Sequence, residues 1–136
     1  PIHIQEINNK GQVVFISAGV MRSGRFGNVY STVYAAFLSQ NGIVTDLGNL
    51  GGISSRAYGI NTAGTVVGSS SINSDVTHAF IWRNGKMRDL NNLLPADSGW
   101  ELNQAVSINN KGQIVGTGTF NGQSRGFLAT PVTVSN

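Results

Sequence analysis

The sequence predicts an all-β protein of three similar units, each built from two hairpins. Three observations lead to this fold class: a recurring phrase of eight residues, a recurring aromatic slot, and an Asp-Leu step that occurs twice. The phrase stands as INNKGQVV from Ile7, INTAGTVV from Ile60 and INNKGQIV from Ile108. Self-similarity with a period of about fifty residues is typical of repeat architectures, so the repeat guides the interpretation of individual residues.

The spacing within each unit is constant, whereas the connections between modules vary in length. Seven residues separate the first isoleucine of the phrase from its last aliphatic residue in all three copies. Ten residues separate the aromatic slot from the leucine of the Asp-Leu step in both copies that have one. Constant modules with variable connectors indicate strands joined by surface loops. The slots are Phe37, Phe80 and Phe127, and the steps are Asp46-Leu47 and Asp89-Leu90.

Turn residues predict how each unit is folded. In the first phrase Asn8 starts a turn and Gly11 stands where a left-handed backbone is needed, and the other two phrases repeat this pair. Between apolar runs, Asn41-Gly42 and Asn84-Gly85 are the dipeptides most typical of two-residue hairpins. These residue types reach positive φ at low cost, so turn geometry alone explains their recurrence.

Two hairpins in each repeat predict four strands, and the repeats are assigned to residues 1–54, 55–102 and 103–136 of a single domain. Repeat one is expected to have strands at 2–7, 12–18, 32–38 and 43–47, and repeat two at 56–60, 65–70, 77–82 and 86–90. Repeat three is expected to end with a shortened fourth strand at 132–135. No helix is predicted, because β-branched residues and turn signals dominate throughout.

The two faces of each strand favour one of two architectures. Phe80 stands between Ala79 and Ile81, so both faces of that strand are apolar. A sheet with two apolar faces must be covered twice, as in stacked propeller blades, whereas a β-trefoil strand buries mainly one face. Propellers have about four to eight blades, so three blades do not close a ring. We therefore predict three four-stranded propeller-like blades that a homodimer completes as a six-bladed β-propeller, with a β-trefoil or a fragment of a longer array as alternatives.

Composition excludes several classes of function. Hydrophobic residues make up 40% and charged residues 11% of the chain, and no apolar run is long enough for a bilayer, so no membrane insertion is expected. The net charge of +3 comes from nine cations and six anions without clustering, which predicts no nucleic-acid partner. The chain has no cysteine, which excludes disulfides, thiolate metal sites and a cysteine nucleophile.

The segment THAFIWRNGKMRDLNNL, preceded by GINTAGTVVGSS and echoed by DLGNLGGISSRAYGINTAG, resembles the HAF-repeat proteins, which are described as probable extracellular repeats of bacteria. The tripeptide of that family stands here as His78-Ala79-Phe80, and the resemblance covers essentially the whole chain. It implies a secreted or envelope-associated, propeller-like β-repeat protein with no enzymatic activity. In the other two repeats Ala35 and Arg125 replace the histidine.

Three residues at repeated positions are candidates for chemistry. The variation of the His78 slot favours a strand residue near the surface over a ligand or a base. A short carboxylate at a strand end caps backbone N–H groups, and we favour this interpretation of Asp46 and Asp89 over acid–base catalysis or calcium binding. The two histidines show no metal-ligand spacing. The sequence thus predicts no catalytic residue, no cofactor and no metal site.

Two extensions distinguish the connectors, and both are expected to be surface loops. They read MRSGRFGNVYS at 21–31 and PADSGWEL at 95–102. Aromatic, acidic and arginine side chains on the loops of a rigid β scaffold can bind a sugar ring, but the same residue types are enriched at subunit contacts. The candidate ligand-binding residues are Trp100, Asp97, Glu101, Arg22, Arg25, Phe26 and Tyr30.

Together these observations predict a non-enzymatic extracellular or cell-envelope module that binds or scaffolds through self-association, with a second copy of itself as partner. The first alternative is a carbohydrate-binding module, which predicts a glycan partner and an exposed Trp100 or Phe26 in a groove. The second alternative is a small glycoside hydrolase or lyase, which requires two carboxylates facing each other across a cleft.

Overall fold

The computed structural model describes residues 1–27 and 29–132 of the chain. Within these ranges the protein is all-β, with eleven strands in three antiparallel sheets, and neighbouring strands of each sheet follow one another in the chain. The single helical element in this part of the chain is a short 3-10 helix, η1 (Leu90–Leu93), and no helix there has the length and apolarity of a membrane span.

Each of the three sheets contains one copy of the recurring phrase and one aromatic slot. Sheet 1 and sheet 2 each have four strands, and sheet 3 has three strands among the described residues. Sheet 1 contains β1 (Ile2–Ile7), β2 (Val13–Ser23), β3 (Val29–Gln40) and β4 (Ile43–Asp46). Sheet 2 contains β5 (Ser55–Ile60), β6 (Val66–Ser71), β7 (Thr77–Arg83) and β8 (Lys86–Asp89). Sheet 3 contains β9 (Trp100–Ile108), β10 (Ile114–Phe120) and β11 (Gln123–Ala129).

The predicted turn chemistry is confirmed. Gly11, Gly64 and Gly112 all have positive φ, between 75° and 87°, at equivalent positions of the three phrases. Asn41-Gly42 and Asn84-Gly85 both have positive φ at each residue, which is the geometry of a two-residue hairpin turn. Asn121-Gly122 forms a third turn of this kind between β10 and β11.

The sequence suggested that the insertion in repeat one is a surface loop, but the structure shows that it is not. It lengthens β2 and β3 instead, which pair in unbroken register from Val13↔Ser39 to Ser23↔Val29. We call the part of this hairpin at 19–31 the β-arm. β-branched and aromatic residues such as Val20, Val29 and Tyr30 favour strand conformation through the insertion. Continued pairing also satisfies backbone groups that a loop would leave to water.

Two other expectations about chain segments are revised. Trp100, which was expected in a loop, is the first residue of β9, and this strand crosses the boundary drawn between 102 and 103. Of the fourth strand expected at 132–135, Val132 is not in a strand and 133–136 lie outside the described residues.

Successive sheets stack face to face and bury two hydrophobic clusters. Sheets 1 and 2 share the cluster around Val14, Leu38 and Phe80, whereas sheets 2 and 3 share the cluster around Ile81, Leu102 and Phe127. Sheet 2 is therefore buried on both faces. As predicted, Phe80 lies on one side of β7, while Ala79 and Ile81 belong to the cluster on the other side. Burial of this kind stabilises the fold by roughly 25 cal/mol for each Å² of apolar surface removed from water.

Candidate functional site

The stack of three sheets has two end faces that no further sheet of the described chain covers. We call the face of each sheet that is turned toward the next sheet in the chain its front face, and the opposite one its back face. The back face of sheet 1 and the front face of sheet 3 are the end faces. Equivalent residues in the three repeats show what each end face lacks.

Front-face positions are buried in sheets 1 and 2 but exposed in sheet 3. The aliphatic position after the aromatic slot is 6% exposed as Leu38 and 8% exposed as Ile81, yet Leu128 is 64% exposed. The last aliphatic residue of the phrase is fully buried as Val14 and Val67, whereas Val115 is 44% exposed. The small residue before the aromatic slot follows the same pattern: Ala36 and Ala79 are fully buried, and Gly126 is exposed.

Back-face positions show the converse, because they are buried in sheets 2 and 3 and open in sheet 1. The first isoleucine of the phrase is 3% exposed as Ile60 and 8% exposed as Ile108, but Ile7 is 64% exposed. Ile2 and Ile4 lie beside it on the same strand and are equally open. The back face of sheet 1 thus presents side chains of the type that an adjacent sheet covers in the other two repeats.

An aromatic pair marks the back face of sheet 1. The rings of Phe15 and Phe37 are stacked with centroids 5.3 Å apart. In the other sheets the residue equivalent to Phe15 is a glycine, Gly68 or Gly116, and the aromatic ring lies directly over it. Repeat one therefore carries a second large side chain at this point, and its end face is more apolar than that of a simple copy.

A series of asparagines links the phrase turns from sheet to sheet. Asn8 Nδ2 donates to the carbonyl oxygen of Asn61 at 2.9 Å, and Asn61 Nδ2 donates to the carbonyl oxygen of Asn109 at 3.1 Å. The Oδ1 atom of each asparagine accepts a backbone N–H of its own turn, from Gln12, Thr65 or Gln113. This bond orients the amide so that its Nδ2 is free to reach the following turn.

A second cluster of polar side chains ties sheet 2 to sheet 3. His78 Nδ1 lies 2.6 Å from Asp89 Oδ2, and His78 Nε2 lies 3.9 Å from Glu101 Oε1. Asp89 Oδ1 also accepts the backbone N–H of Asn91 at 2.9 Å, so the predicted cap is present. Asn91 in turn exchanges two hydrogen bonds with the backbone of Leu102, of 2.7 and 2.8 Å.

The hydrogen bonds of this cluster hold sheet 3 in place against sheet 2, which is a structural arrangement. The side chain of His78 is 16% exposed and that of Asp89 is 15% exposed, so the histidine is less accessible than the sequence suggested. Asp89 uses both carboxylate oxygens in hydrogen bonds. The other repeated carboxylate, Asp46, is exposed and caps the N–H of Gly48 at 2.9 Å, as predicted. Asp89 and Asp46 each accept a hydrogen bond from a backbone N–H two residues further along the chain.

The seven predicted ligand-binding residues lie in two separate regions. Phe26 at the tip of the β-arm is 82% exposed, and the guanidinium of Arg25 lies 5.5 Å from its ring centroid. Further along the arm, Tyr30 is 61% exposed and faces Arg22 in the same way, also at 5.5 Å. The β-arm therefore presents two arginine–aromatic pairs to solvent.

The second region surrounds Trp100 at the start of sheet 3. This ring is half-buried, with its centroid 5.1 Å from that of Phe120 and 6.5 Å from that of Phe127. Asp97 is exposed in the connection that precedes β9. Glu101 is the residue whose Oε1 lies 3.9 Å from Nε2 of His78. Trp100 thus packs against the sheet 2–sheet 3 cluster, and the sequence extension around it does not present it in an open groove.

A polar groove of about 280 Å³ lies between sheets 1 and 2. Serine hydroxyls at this groove form hydrogen bonds within the fold: Ser54 accepts the N–H of Tyr34, and Ser70 accepts the N–H of Leu50. The guanidinium of Arg56 lies 4.0 Å from the ring centroid of Tyr34 at the same groove. These contacts hold the two sheets together. Among the described residues no group of three or more His, Cys, Asp or Glu side chains could hold a metal ion.

No family model, no curated protein and no solved structure matches this chain.

Proposed function

We propose that this chain is a non-enzymatic β-repeat module that acts by self-association, as a binding or scaffold unit of bacterial secreted material or of the cell envelope. The observation that carries the proposal is the pair of open end faces. Leu128 and Ile7 are each 64% exposed at positions that are at most 8% exposed wherever a neighbouring sheet is present. Ile2 and Ile4 are exposed beside Ile7, and Val115 is exposed beside its cross-strand partner Leu128. Exposed apolar patches of this kind mark protein–protein contacts.

The propeller-like architecture belongs to the same proposal. The first strands of successive sheets contact one another along the stack, β1 with β5 and β5 with β9. In each sheet the later strands follow in chain order on one side of the first strand. Blades of a propeller have this arrangement around a central axis. The three sheets form no common barrel within the described residues, which favours stacked blades over a β-trefoil. The location outside the cytoplasm is supported by the resemblance to HAF repeats and by the low content of charged residues, 11%.

The test is the molar mass in solution as a function of protein concentration, measured by light scattering after size exclusion. We expect twice the chain mass of 14.3 kDa at micromolar concentrations. Leu128→Glu places a charge on the front end face and is expected to yield monomers. The matched control is Leu93→Glu, since Leu93 is 58% exposed in η1, away from the end faces, and this variant is expected to remain dimeric. A wild-type chain that stays monomeric at high concentration contradicts the proposal.

Carbohydrate binding is a second candidate function, and the exposed rings of the β-arm favour it. Phe26 offers an open face of the kind that stacks on a sugar ring, and Arg25 beside it supplies hydrogen-bond donors. A glycan array tests this candidate. Binding that is lost in Phe26→Ala and kept in Leu93→Glu supports it, whereas the absence of binding to any glycan argues against it.

A further inference from the structure

We propose that the partner is a second copy docked head to tail, in which the Asn109 side chain of each chain donates to the Asn8 carbonyl of the other and a ring of six sheets is closed. This inference rests on the proposed self-association and adds the surfaces that meet and the register of the contact. The front face of sheet 3 meets the back face of sheet 1 twice, once at each end of the paired stacks.

The internal junctions provide the template for this contact. At both of them the donor is the phrase asparagine of one sheet and the acceptor is the carbonyl of the phrase asparagine in the next sheet. The carbonyl of Asn61 accepts the N–H of Gly64 together with the side chain of Asn8, and the carbonyl of Asn109 does the same with Gly112 and Asn61. The Asn8 carbonyl accepts the N–H of Gly11, and in the described chain no preceding sheet supplies the second donor.

The donor at the other end is equally well prepared. Asn109 Nδ2 bonds to Gln113 Oε1 at 2.9 Å, just as Asn8 Nδ2 bonds to Gln12 Oε1 at 2.6 Å. Asn8 uses its second amide hydrogen for the next sheet, at the Asn61 carbonyl. Asn109 has the same second hydrogen, because an amide nitrogen carries two. Within the described residues no following turn receives it.

The turn sequences match this role. The turn of sheet 1 and the turn of sheet 3 both read NNKGQ, at 8–12 and 109–113, whereas the middle turn reads NTAGT at 61–65. The proposed acceptor Asn8 therefore stands in the same turn sequence as Asn109, which accepts from sheet 2. The proposed donor Asn109 stands in the same turn sequence as Asn8, which donates to sheet 2. Both halves already form hydrogen bonds of this kind within one chain.

The apolar surfaces fit the same register. In the internal junctions the aromatic slot of one sheet packs against the front-face aliphatic residues of the preceding sheet, as Phe80 does in the cluster with Val14 and Leu38. Head-to-tail docking places Phe37 against Val115 and Leu128 of the second copy. Sheet 3 has a depression of about 380 Å³ beside Thr117 and Gly126, which are paired across strands at front-face positions. The stacked pair of Phe15 and Phe37 adds apolar bulk to the opposite side of the proposed contact.

Closure at six sheets is the expected result of the docking. Two copies of the described three-sheet stack joined at both ends leave no end face open, and rings of about four to eight sheets are the known range for propellers. A head-to-tail contact that did not close would instead produce filaments.

The pairing also brings the turn that carries Lys10 to the turn that carries Lys111 of the other copy, and both lysines are exposed. Salt screens such like charges, so the affinity is expected to rise a fewfold between low and physiological ionic strength. A fall in affinity over this range contradicts the register.

Site-directed cross-linking tests the docking, and the absence of cysteine from the chain makes it unambiguous. Two single variants, Asn9→Cys and Asn110→Cys, are treated with a short bismaleimide, separately and mixed. These positions are equivalent to Thr62, whose N–H donates to Asn110 Oδ1 across an internal junction at 2.9 Å. A chain carrying both Thr62→Cys and Asn110→Cys calibrates the reaction, since it should cross-link within itself.

We expect cross-linked dimers only in the mixture. Dimers from Asn9→Cys alone, or from Asn110→Cys alone, show that like faces meet, which overturns the head-to-tail register while self-association survives. A monomeric wild-type chain overturns both. Larger ladders from the double variant Asn9→Cys/Asn110→Cys show open filaments and overturn the ring.

In a second test, Asn109→Asp keeps the side-chain oxygen that accepts within its own turn but removes the N–H donor. The dimer Kd is expected to rise roughly thirtyfold, because two junctions each lose a hydrogen bond. An unchanged Kd contradicts the asparagine contact.

Discussion

Nδ1 of His78 lies 2.6 Å from Oδ2 of Asp89, so a hydrogen bond joins the side chains of β7 and β8 where the chain leaves sheet 2. The same carboxylate accepts the N–H of Asn91 at the start of η1, and Asn91 holds the backbone of Leu102 in sheet 3. One carboxylate therefore fixes the end of a hairpin, the start of a connection and the approach of the next sheet.

Asp89→Ala is expected to lower the free energy of unfolding by roughly 1–3 kcal/mol, because it leaves partly buried donors on His78 and Asn91 without their acceptor. Asp46→Ala is the matched control at the same position of repeat one, where the carboxylate is exposed and caps Gly48. Its loss is expected to be roughly 0.5–1 kcal/mol. Urea unfolding followed by circular dichroism measures both. Equal losses at the two positions would show that the His78 contact contributes nothing.

Gly68→Ala is expected to destabilise the protein by roughly 1–3 kcal/mol, since the core has no room for a side chain there. A Cβ atom at this position would overlap the carbonyl oxygen of Arg56 and lie 2.8 Å from the ring of Phe80. Gly19→Ala is the control, because a Cβ there meets no atom within 4 Å and φ is not positive. That change should be neutral or slightly stabilising, as alanine loses less conformational freedom on folding. Thermal unfolding of both variants decides the comparison.

Trp100→Ala is expected to cost roughly 2–3 kcal/mol, since it removes a large, half-buried side chain that packs on Phe120 and Phe127. Phe26→Ala is expected to change stability by less than about 0.5 kcal/mol, because its ring is almost fully exposed. Guanidinium unfolding curves provide the measurement. A Trp100 variant as stable as the wild type would mean that this ring does not contribute to the core, and this result would favour a ligand-binding role for Trp100.

The aromatic slot gives a prediction about the ends of the stack. Phe80→Ala is expected to cost roughly 3–5 kcal/mol, because Phe80 is fully buried between sheets 1 and 2. Phe37→Ala removes the same side chain from the back face of sheet 1, where it is half-buried and stacked on Phe15. At nanomolar concentration, where chains are separate, its cost should be roughly half as large or less. At high concentration the difference should shrink, because pairing buries the slot; a difference that is independent of concentration contradicts pairing through this face.

Much of the fold follows from local rules that act within a few residues. The recurring Asn and Gly residues predicted the hairpin turns, since few other residues adopt positive φ cheaply, and the structure has them at Gly11, Gly64 and Asn84-Gly85. Apolar residues on both faces predicted that a sheet is covered twice, and sheet 2 is. The strands of repeats one and two were placed to within a few residues, apart from the β-arm.

The candidate site was less accessible from the sequence. The asparagine of each phrase was recognised as a turn former, but its link to the next turn joins residues 48 and 53 apart, and only stacking brings these turns together. The contact between His78 and Asp89 had a signal that could have revealed it: a two-residue turn at Asn84-Gly85 pairs Phe80 with Asp89 and so places His78 nearby on β7. The prediction of a loop around Trp100 was wrong. It gave more weight to the nearby Gly and Pro residues than to the strand propensity of the residues that form the start of β9.

By itself the sequence determined the all-β class, the repeat and the turns, because these depend on periodicity and on backbone preferences of single residues. The tertiary structure alone decided which faces are covered, that the insertion of repeat one extends two strands, and that asparagines of successive turns bond to one another. The physical reason is that burial and long-range hydrogen bonds depend on which sheets become neighbours, and a residue's own neighbours in the chain do not specify this.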